Sequence, residues 1–424
     1  MFDRHHIGNR AILVHIFFSK NKEMEDLQEF QSLVSAAGVI SLHIIIGNRQ
    51  TPNPKYFIGN GKAQEIAEAV KSYQASLILF NHNLSPAQER NLERLCQSRV
   101  IDRIGLILDI FSQRARTHEG QLQVELAQLR HSSTRLVKGW THLERQRGGI
   151  GLRGVGETQL ESDRRLLRNR MNNVLSRLKK IVTRREQSRR SRKDIPTIAL
   201  VGYTNTGKST LFNHLTQASV YTADKMFATL DPMFRRINLR DVGNTIMVDT
   251  VGFIRHLPYN LIAAFKATLQ ETTQANLLLH IVDATDQYFE NNINAVNQIL
   301  TEIQADNIPR LLIMNKIDKH NQLSPRIDRD EQNRPVKIWI SAIKGEGISL
   351  LIQAVTECLS KNIVRYELHL PPQSGRLRSY FYQIKAIENE WVEQDGSIRI
   401  FVKLPVSYWN SLCKKEKNLR TYLI

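Results

Sequence analysis

Between Gly202 and Thr210 the chain reads GYTNTGKST, which places two glycines, a lysine and a hydroxyl in the spacing G-x-x-x-x-G-K-[ST]. The run follows the apolar stretch TIALVGY and opens STLFNHLTQ, so it joins a strand to the start of a helix, the setting in which this spacing holds phosphate. Gly202 and Gly207 let the backbone through Tyr203, Thr204, Asn205 and Thr206 wrap an anion. Lys208 is placed to reach the β and γ phosphates and Ser209 to ligate magnesium. Thr210 continues into a helix whose amino end favours negative charge.

Three further runs follow apolar stretches in a fixed order. Asp249-Thr250-Val251-Gly252 comes after TIMV, which sets Asp249 at a strand end facing magnesium and lets the Gly252 amide sense a γ-phosphate. Asn315-Lys316-Ile317-Asp318 comes after RLLIM; its aspartate can accept two hydrogen bonds from guanine N1 and the exocyclic amine, whereas adenine would leave that carboxylate unpaired. Ser341-Ala342-Ile343, after VKIWI, supplies a backbone contact to guanine O6. Between the first two lies Phe227-Ala228-Thr229-Leu230-Asp231, in which Thr229 is expected to complete magnesium coordination only with GTP bound. The reading is a GTP and GDP site with Mg2+ held by Ser209 and Thr229, Asp249 one layer behind them, and Lys208, Thr229 and Gly252 as the catalytic set.

Two residues bear on rate. Many GTPases carry a glutamine after the Asp-x-x-Gly glycine to orient the attacking water, but this chain has Phe253, so slow hydrolysis without a partner is expected. Asn205 is placed either to help hold a potassium ion or to serve as an ordinary loop hydrogen-bonder; turnover in potassium and sodium buffers separates the two.

The elements that must position these residues read as α/β. Residues 195–362 form a P-loop domain with a mostly parallel sheet. Residues 1–115 alternate short apolar runs with helical patterns and form a smaller parallel α/β domain, with Ser85-Pro86 as a helix start. Residues 116–194 carry two heptad seams, Leu122, Leu126, Leu129, Leu136, Trp140, Leu143 and then Leu160, Leu167, Met171, Val174, Leu178, Ile181, which predict an antiparallel helical hairpin. RREQSRRSRKDIP is expected to be the linker out of it. Residues 363–424 form a small α+β module in which IKAIENEWVE and SIRIFVKLP are strands joined at Asp395-Gly396.

Charge suggests the partner. Lys and Arg number 59 against 41 Asp and Glu, a net +18, which favours a polyanion. Residues 164–193 hold 13 Lys or Arg against the single acid Glu186. The hairpin's glycine-rich tip, RQRGGIGLRGVGE, offers Arg145, Arg147, Gly149, Gly151, Arg153 and Gly154 as RNA-contact candidates; its G-x-G-x-x-G pattern has no strand before it and is not read as a dinucleotide site. Cys96, Cys358 and Cys413 are too scattered for a disulfide framework or a zinc site. No stretch is apolar for the roughly 18 residues needed to span a bilayer, so a cytoplasmic location is expected, with peripheral membrane association left open.

The segments YFIGNGKAQEI, DRIGLILDIFSQRARTHEGQLQVELAQL, TRLVKGWTHLERQRGGIGLRGVGETQLESDRRLL, the phosphate loop, and DTVGFIRHLP with the following LIAAFKATLQE together make the chain resemble the HflX family of ribosome-associated GTPases, related to the Obg group. The resemblance covers roughly 56–344 and includes the substituted Phe253. It implies a GTP-dependent factor that binds the large ribosomal subunit through ribosomal RNA and separates stalled or stress-halted ribosomes, with a monomer as the simpler state. The competing readings are a nucleotide-driven RNA remodeller and a regulatory GTPase acting on a protein partner.

Overall fold

The computed structural model describes residues 10–18, 24–139, 159–190, 195–217, 226–240, 242–254, 272–320, 322–360, 363–384, 386–393, 395–405, 409, 412, 413, 416 and 419–424. The chain divides into two compact units. One comprises Met1–Arg185, Tyr221–Asp231 and Val251–Thr268; the other comprises Glu186–Val220, Pro232–Thr250 and Leu269–Ile424.

In the first unit, β1 (Arg10–Phe17), β2 (Ile40–Asn48), β3 (Leu77–Phe80) and β4 (Arg99–Ile101) form a parallel sheet in the order β2-β1-β3-β4. The run RAILVHIF lies inside this sheet and is buried on both faces from Ala11 onward, as the continuous apolar sequence of a covered parallel strand requires. The crossovers are α1 (Met24–Ala36), α2 (Asn60–Tyr73) and α3 (Pro86–Cys96). Helix α3 starts on a capping box: the Ser85 hydroxyl accepts from the Gln88 amide while the Gln88 side chain accepts from the Ser85 amide. Helix α4 (Arg103–Arg114) follows, its first turn capped by the Asp102 carboxylate, which accepts from the Gly105 amide at 2.8 Å.

Helices α5 (His118–Gly139) and α6 (Gln159–Arg190) bring part of the two predicted seams together: Leu122, Leu126 and Val174 are buried, with Leu129, Met171, Leu178 and Ile181 packed against them, while Trp140 and Leu143 lie outside the described residues. Glu119 near the start of α5 pairs with Arg185 near the end of α6 at 2.8 Å, so the two helices run antiparallel. Helix α6 extends further than composition suggests, since residues 184–190, assigned above to a linker, are helical. Arginine, glutamine and glutamate are good helix formers, and the Glu119 contact ties down this last stretch.

In the second unit a seven-stranded sheet has the order β10-β11-β9-β8-β5-β7-β6. Its strands are β5 (Thr197–Gly202), β6 (Met233–Leu239), β7 (Gly243–Asp249), β8 (Leu277–Asp283), β9 (Arg310–Asn315), β10 (Arg326–Arg329) and β11 (Pro335–Trp339), parallel except for β6 against β7 and β10 against β11. Helices α7 (Lys208–Thr216), α8 (Phe289–Glu302) and α9 (Ile348–Ser360) connect them. Ile198, Leu200, Leu279, Ile281, Leu311, Ile313 and Ile338 form the core with Leu211, Phe212 and Leu351. Burying each aliphatic side chain contributes roughly 1.5–3 kcal/mol, enough to hold the strand ends in fixed register.

The C-terminal module contains β12 (Ile363–Leu370), α10 (Gly375–Gln383), β13 (Ile387–Val392) and β14 (Ile398–Pro405), an antiparallel sheet in the order β12-β14-β13. The hairpin turns at Asp395 and Gly396, where Gly396 has φ +81. Strand β12 was not expected. Val364, Tyr366, Leu368 and Leu370 alternate toward the module's core, and the composition break falls only at Pro371. No described helix is long and apolar enough to cross a membrane.

Candidate functional site

In an open parallel sheet, ligands bind beyond the carboxyl ends of the strands. The structure brings the phosphate loop after β5, Asp249 at the end of β7, Asn315 at the end of β9 and Ser341 just past β11 to that edge of one sheet.

The loop's backbone is possible only for the residues it contains. Gly202 has φ +148, and a Cβ there would sit 2.2 Å from the Ile281 carbonyl oxygen; Gly207 has φ +91, and its Cβ would meet the Asn315 amide at 2.3 Å. Asn205 takes the left-handed region at φ +61, which asparagine tolerates. Lys208, 6% exposed, turns back over the loop, where its ammonium donates to the Tyr203 carbonyl at 2.6 Å and the Gly202 carbonyl at 3.2 Å. Burial pushes its pKa down to about 8, with Asp249 opposing the shift and Lys316 adding to it. A buried cation resting on two carbonyls is poised for an anion. The Thr204 hydroxyl in the same loop is buried and has no hydrogen-bond partner among the described residues.

Asp249 is fully buried and accepts the Ser209 hydroxyl at 2.7 Å. A hydroxyl and a carboxylate are hard oxygen donors of the type magnesium takes, so this pair fits that ion. The neighbouring Thr250 hydroxyl bonds the Leu200 carbonyl, which fixes the end of β7 to β5.

The base side is a clamp. Asn315 donates to the Thr206 carbonyl at 2.8 Å and accepts from the Ala342 amide at 2.9 Å, so one side chain joins the phosphate loop to the Ser341-Ala342 loop. Lys316, at φ +66, donates to the Asn205 carbonyl and pairs with Asp283, both at 2.7 Å. Burial alone would raise the Asp283 carboxyl, but the bond and charge of Lys316 and the bonds from Thr285 hold it below the ordinary range. Ile317 is buried beneath the loop. Ser341 donates to one oxygen of Asp318 at 2.6 Å, which orients that carboxylate; no described residue bonds the other oxygen. Ile343 is 69% exposed. Asp283 escaped the sequence reading, although as the acidic end of the apolar strand LLLHIVD it resembles Asp249 at the end of β7.

The remaining candidates belong to the other unit. Phe227, Leu230, Val251 and Gly252 are buried there, with Ala228 and Thr229 half-buried. The Phe227 ring stands edge-on to Phe111 of α4 at 4.7 Å, and the Asp231 carboxylate is bonded at the start of α5. Phe253 is 2% exposed, an apolar ring shut away where many GTPases carry a water-orienting amide. Arg145, Arg147, Gly149, Gly151, Arg153 and Gly154 lie outside the described residues.

A phosphate loop between a strand and a helix, a buried strand-end aspartate beside its serine and an Asn-Lys-x-Asp clamp define a P-loop GTPase. Family models match along the chain: GTP-binding GTPase N-terminal at 24–112, GTP-binding GTPase middle region at 114–192, 50S ribosome-binding GTPase at 197–316 and HflX C-terminal domain at 326–418. GTPase HflX of Escherichia coli is 64% identical over 426 residues, covering 100% of both chains, and GTPase HflX of Magnetococcus marinus is 43% identical over 388 residues, covering 90% of this chain and 89% of that one. A GTP-binding protein from Sulfolobus solfataricus, solved in complex with GDP, is 25% identical over 82% of this chain and 98% of its own, with a TM-score of 0.45. The chain belongs to the HflX family of GTPases.

Proposed function

We propose that this GTPase binds the large ribosomal subunit in its GTP form and separates stalled or stress-halted ribosomes, with hydrolysis releasing it. The observation that carries the reading is the match of 197–316 to a 50S ribosome-binding GTPase, joined to full-length similarity with GTPase HflX. The net charge of +18 and the arginine-rich α6 suit a phosphate-rich partner, and the hairpin tip from Arg145 to Gly154 is the proposed RNA contact.

In the proposed mechanism Lys208 leaves the Gly202 and Tyr203 carbonyls for the β and γ phosphate oxygens, a shift of acceptor within one buried pocket. Asp249 orients the Ser209 hydroxyl, and Ser209 and Thr229 would hold magnesium, which would supply positive charge to the phosphate oxygens. Asp318, aimed by Ser341, accepts the guanine N1 and amine protons, and the backbone of the Ser341-Ala342-Ile343 run meets O6. Gly252 senses the γ-phosphate. Phe253 has no group with which to orient water, so turnover is slow until the ribosome completes the site. Asn205 would either help hold a potassium ion that supplies positive charge there or serve as an ordinary loop hydrogen-bonder.

The test is GTP turnover with and without purified large subunits at two salt concentrations, in potassium and in sodium buffers, with co-sedimentation in a non-hydrolysable GTP analogue. Subunits should raise turnover, and binding should weaken with salt and require the GTP form. Equally tight ribosome binding with GDP overturns the switch, and turnover indifferent to subunits overturns the partner.

A further inference from the structure

A helix begins with N–H groups that have no partner within it, and the start of α5 meets this need with help from 114 residues away. Thr117 caps the helix, its hydroxyl oxygen accepting from the Gly120 amide at 3.0 Å. The same hydroxyl donates to Asp231 Oδ1 at 2.5 Å, and Asp231 Oδ2 accepts from the Arg116 and Thr117 amides, each at 2.9 Å. One carboxylate therefore closes the helix start with three hydrogen bonds, where the helix dipole also favours negative charge. Gly120 leaves room for it: a Cβ at that position would lie 2.1 Å from Asp231 Oδ1.

Apolar contacts dock the rest of the segment. Met226, Phe227 and Leu230 are buried; Phe227 adopts φ +55, a strained conformation for an aromatic residue, and packs edge-on against Phe111. Thr229 lies between these anchors. It is two residues from Asp231, a reach of at most about 7 Å of extended chain. A larger move of Thr229 must lift the carboxylate from α5 or carry the start of α5 with it.

We propose that Asp231 is a positioning residue that couples the position of Thr229 to the capped start of α5, so that the helical hairpin is informed of the nucleotide state through the Asp231–Thr117 contact. Gly120 is the second part of the device, since the contact exists only while that position has no side chain. The proposal rests on the reading of Thr229 as the GTP-sensing threonine.

Amide hydrogen exchange on the full-length protein tests it, in GDP and in a non-hydrolysable GTP analogue. In the parent protein the Arg116 and Thr117 amides should exchange at rates differing at least about tenfold between the two nucleotides, the size of a coupling near 1.4 kcal/mol. Gly120→Ala, which favours the helix intrinsically but evicts the carboxylate, should abolish the difference. Asp231→Ala should do the same, while Asp231→Asn should retain it because its one amide oxygen can still accept from both the Arg116 and Thr117 amides. A role confined to stability would slow or speed exchange equally in both nucleotides. Equal exchange in the parent protein, or a difference that survives both Gly120→Ala and Asp231→Ala, overturns the coupling. Thr229→Ala distinguishes the underlying reading: if it leaves the preference for the GTP analogue over GDP unchanged, Thr229 is not the sensor; if that preference falls while the parent shows equal exchange, the sensor stands and the coupling fails.

Discussion

The nucleotide pocket and the segment 226–231 are both loops next to strands, yet they are held by different kinds of contact. In the pocket, Lys316 spans Asn205 and Asp283 nearer the surface, and deeper in, buried polar groups bond their neighbours: Asn315 spans Thr206 and Ala342, and Asp249 holds Ser209. Breaking one such bond strands a buried donor or acceptor, which costs roughly 1–3 kcal/mol, so the pocket keeps one arrangement. The segment is held by the buried side chains of Met226, Phe227 and Leu230 and by the Asp231 carboxylate on a helix start. Asp231 is half-buried, so water can replace its bonds on release at far lower cost. The contrast separates a preorganised binding site from an element with two available positions.

The variant expected to break the comparison most severely is Lys208→Ala. It removes the cation that the loop is shaped to present, and loss of one partner from a buried charged contact costs about 2–5 kcal/mol, so GTP and GDP affinity should fall by at least about 30-fold. Fluorescence titration with a labelled guanine nucleotide, alongside circular dichroism to confirm the fold, measures it. A loss below tenfold would show that the backbone amides alone carry phosphate binding. Asp318→Asn should weaken GTP by about tenfold to 100-fold, since the amide presents a donor where guanine also donates. The same change should raise affinity for xanthosine triphosphate, whose 2-carbonyl accepts that donor. Equal losses for both nucleotides in a competition assay would mean that Asp318 shapes the loop and does not read the base.

These two regions also differ in how far they could be read from the sequence. Each pocket motif is short, follows an apolar strand and needs particular residues for local reasons, as at Gly202 and Gly207, where a Cβ would strike Ile281 and Asn315. Four of the sheet's strands were legible for the same reason, since the apolar runs TIALV, TIMV, RLLIM and VKIWI mark β5, β7, β9 and β11; β6, MFRRINL, and β10, RIDR, carry no such run. Contacts that join distant parts of the chain were not. Nothing local in FATLDP says that its aspartate caps α5, and Gly120 looks like an ordinary weak point in a helix until Asp231 stands against it. The Asp283–Lys316 pair was hidden for a related reason, because a lone aspartate closing a strand acquires meaning only from the neighbouring strand. Strand β12 was missed because two prolines just beyond it drew the boundary too early.

The smallest expected effect sharpens the contrast through pH. In the nucleotide-free pocket the Lys208 ammonium is held at about 8, below its ordinary 10.5, by burial first. Phosphate favours the charged form, so binding raises that pKa and takes up a proton once the free lysine has lost its own. Guanine-nucleotide affinity should therefore be flat below pH 8 and fall above it, by up to tenfold per pH unit. Folding responds with the opposite sign. Between pH 8 and 10.5 the unfolded chain binds more protons at this lysine than the folded one, so the free protein gains stability across that window, by about 3 kcal/mol from this group. Denaturant unfolding and nucleotide titration at pH 7, 8 and 9 read the two slopes separately. Asp231→Ala should leave the midpoint of the affinity profile unchanged, because the burial and charges that set it come from the pocket itself, from Asp249 and Lys316. A midpoint that moved with Asp231→Ala would mean that the segment and the pocket titrate as one site, and the division between a fixed pocket and a movable sensor would fail.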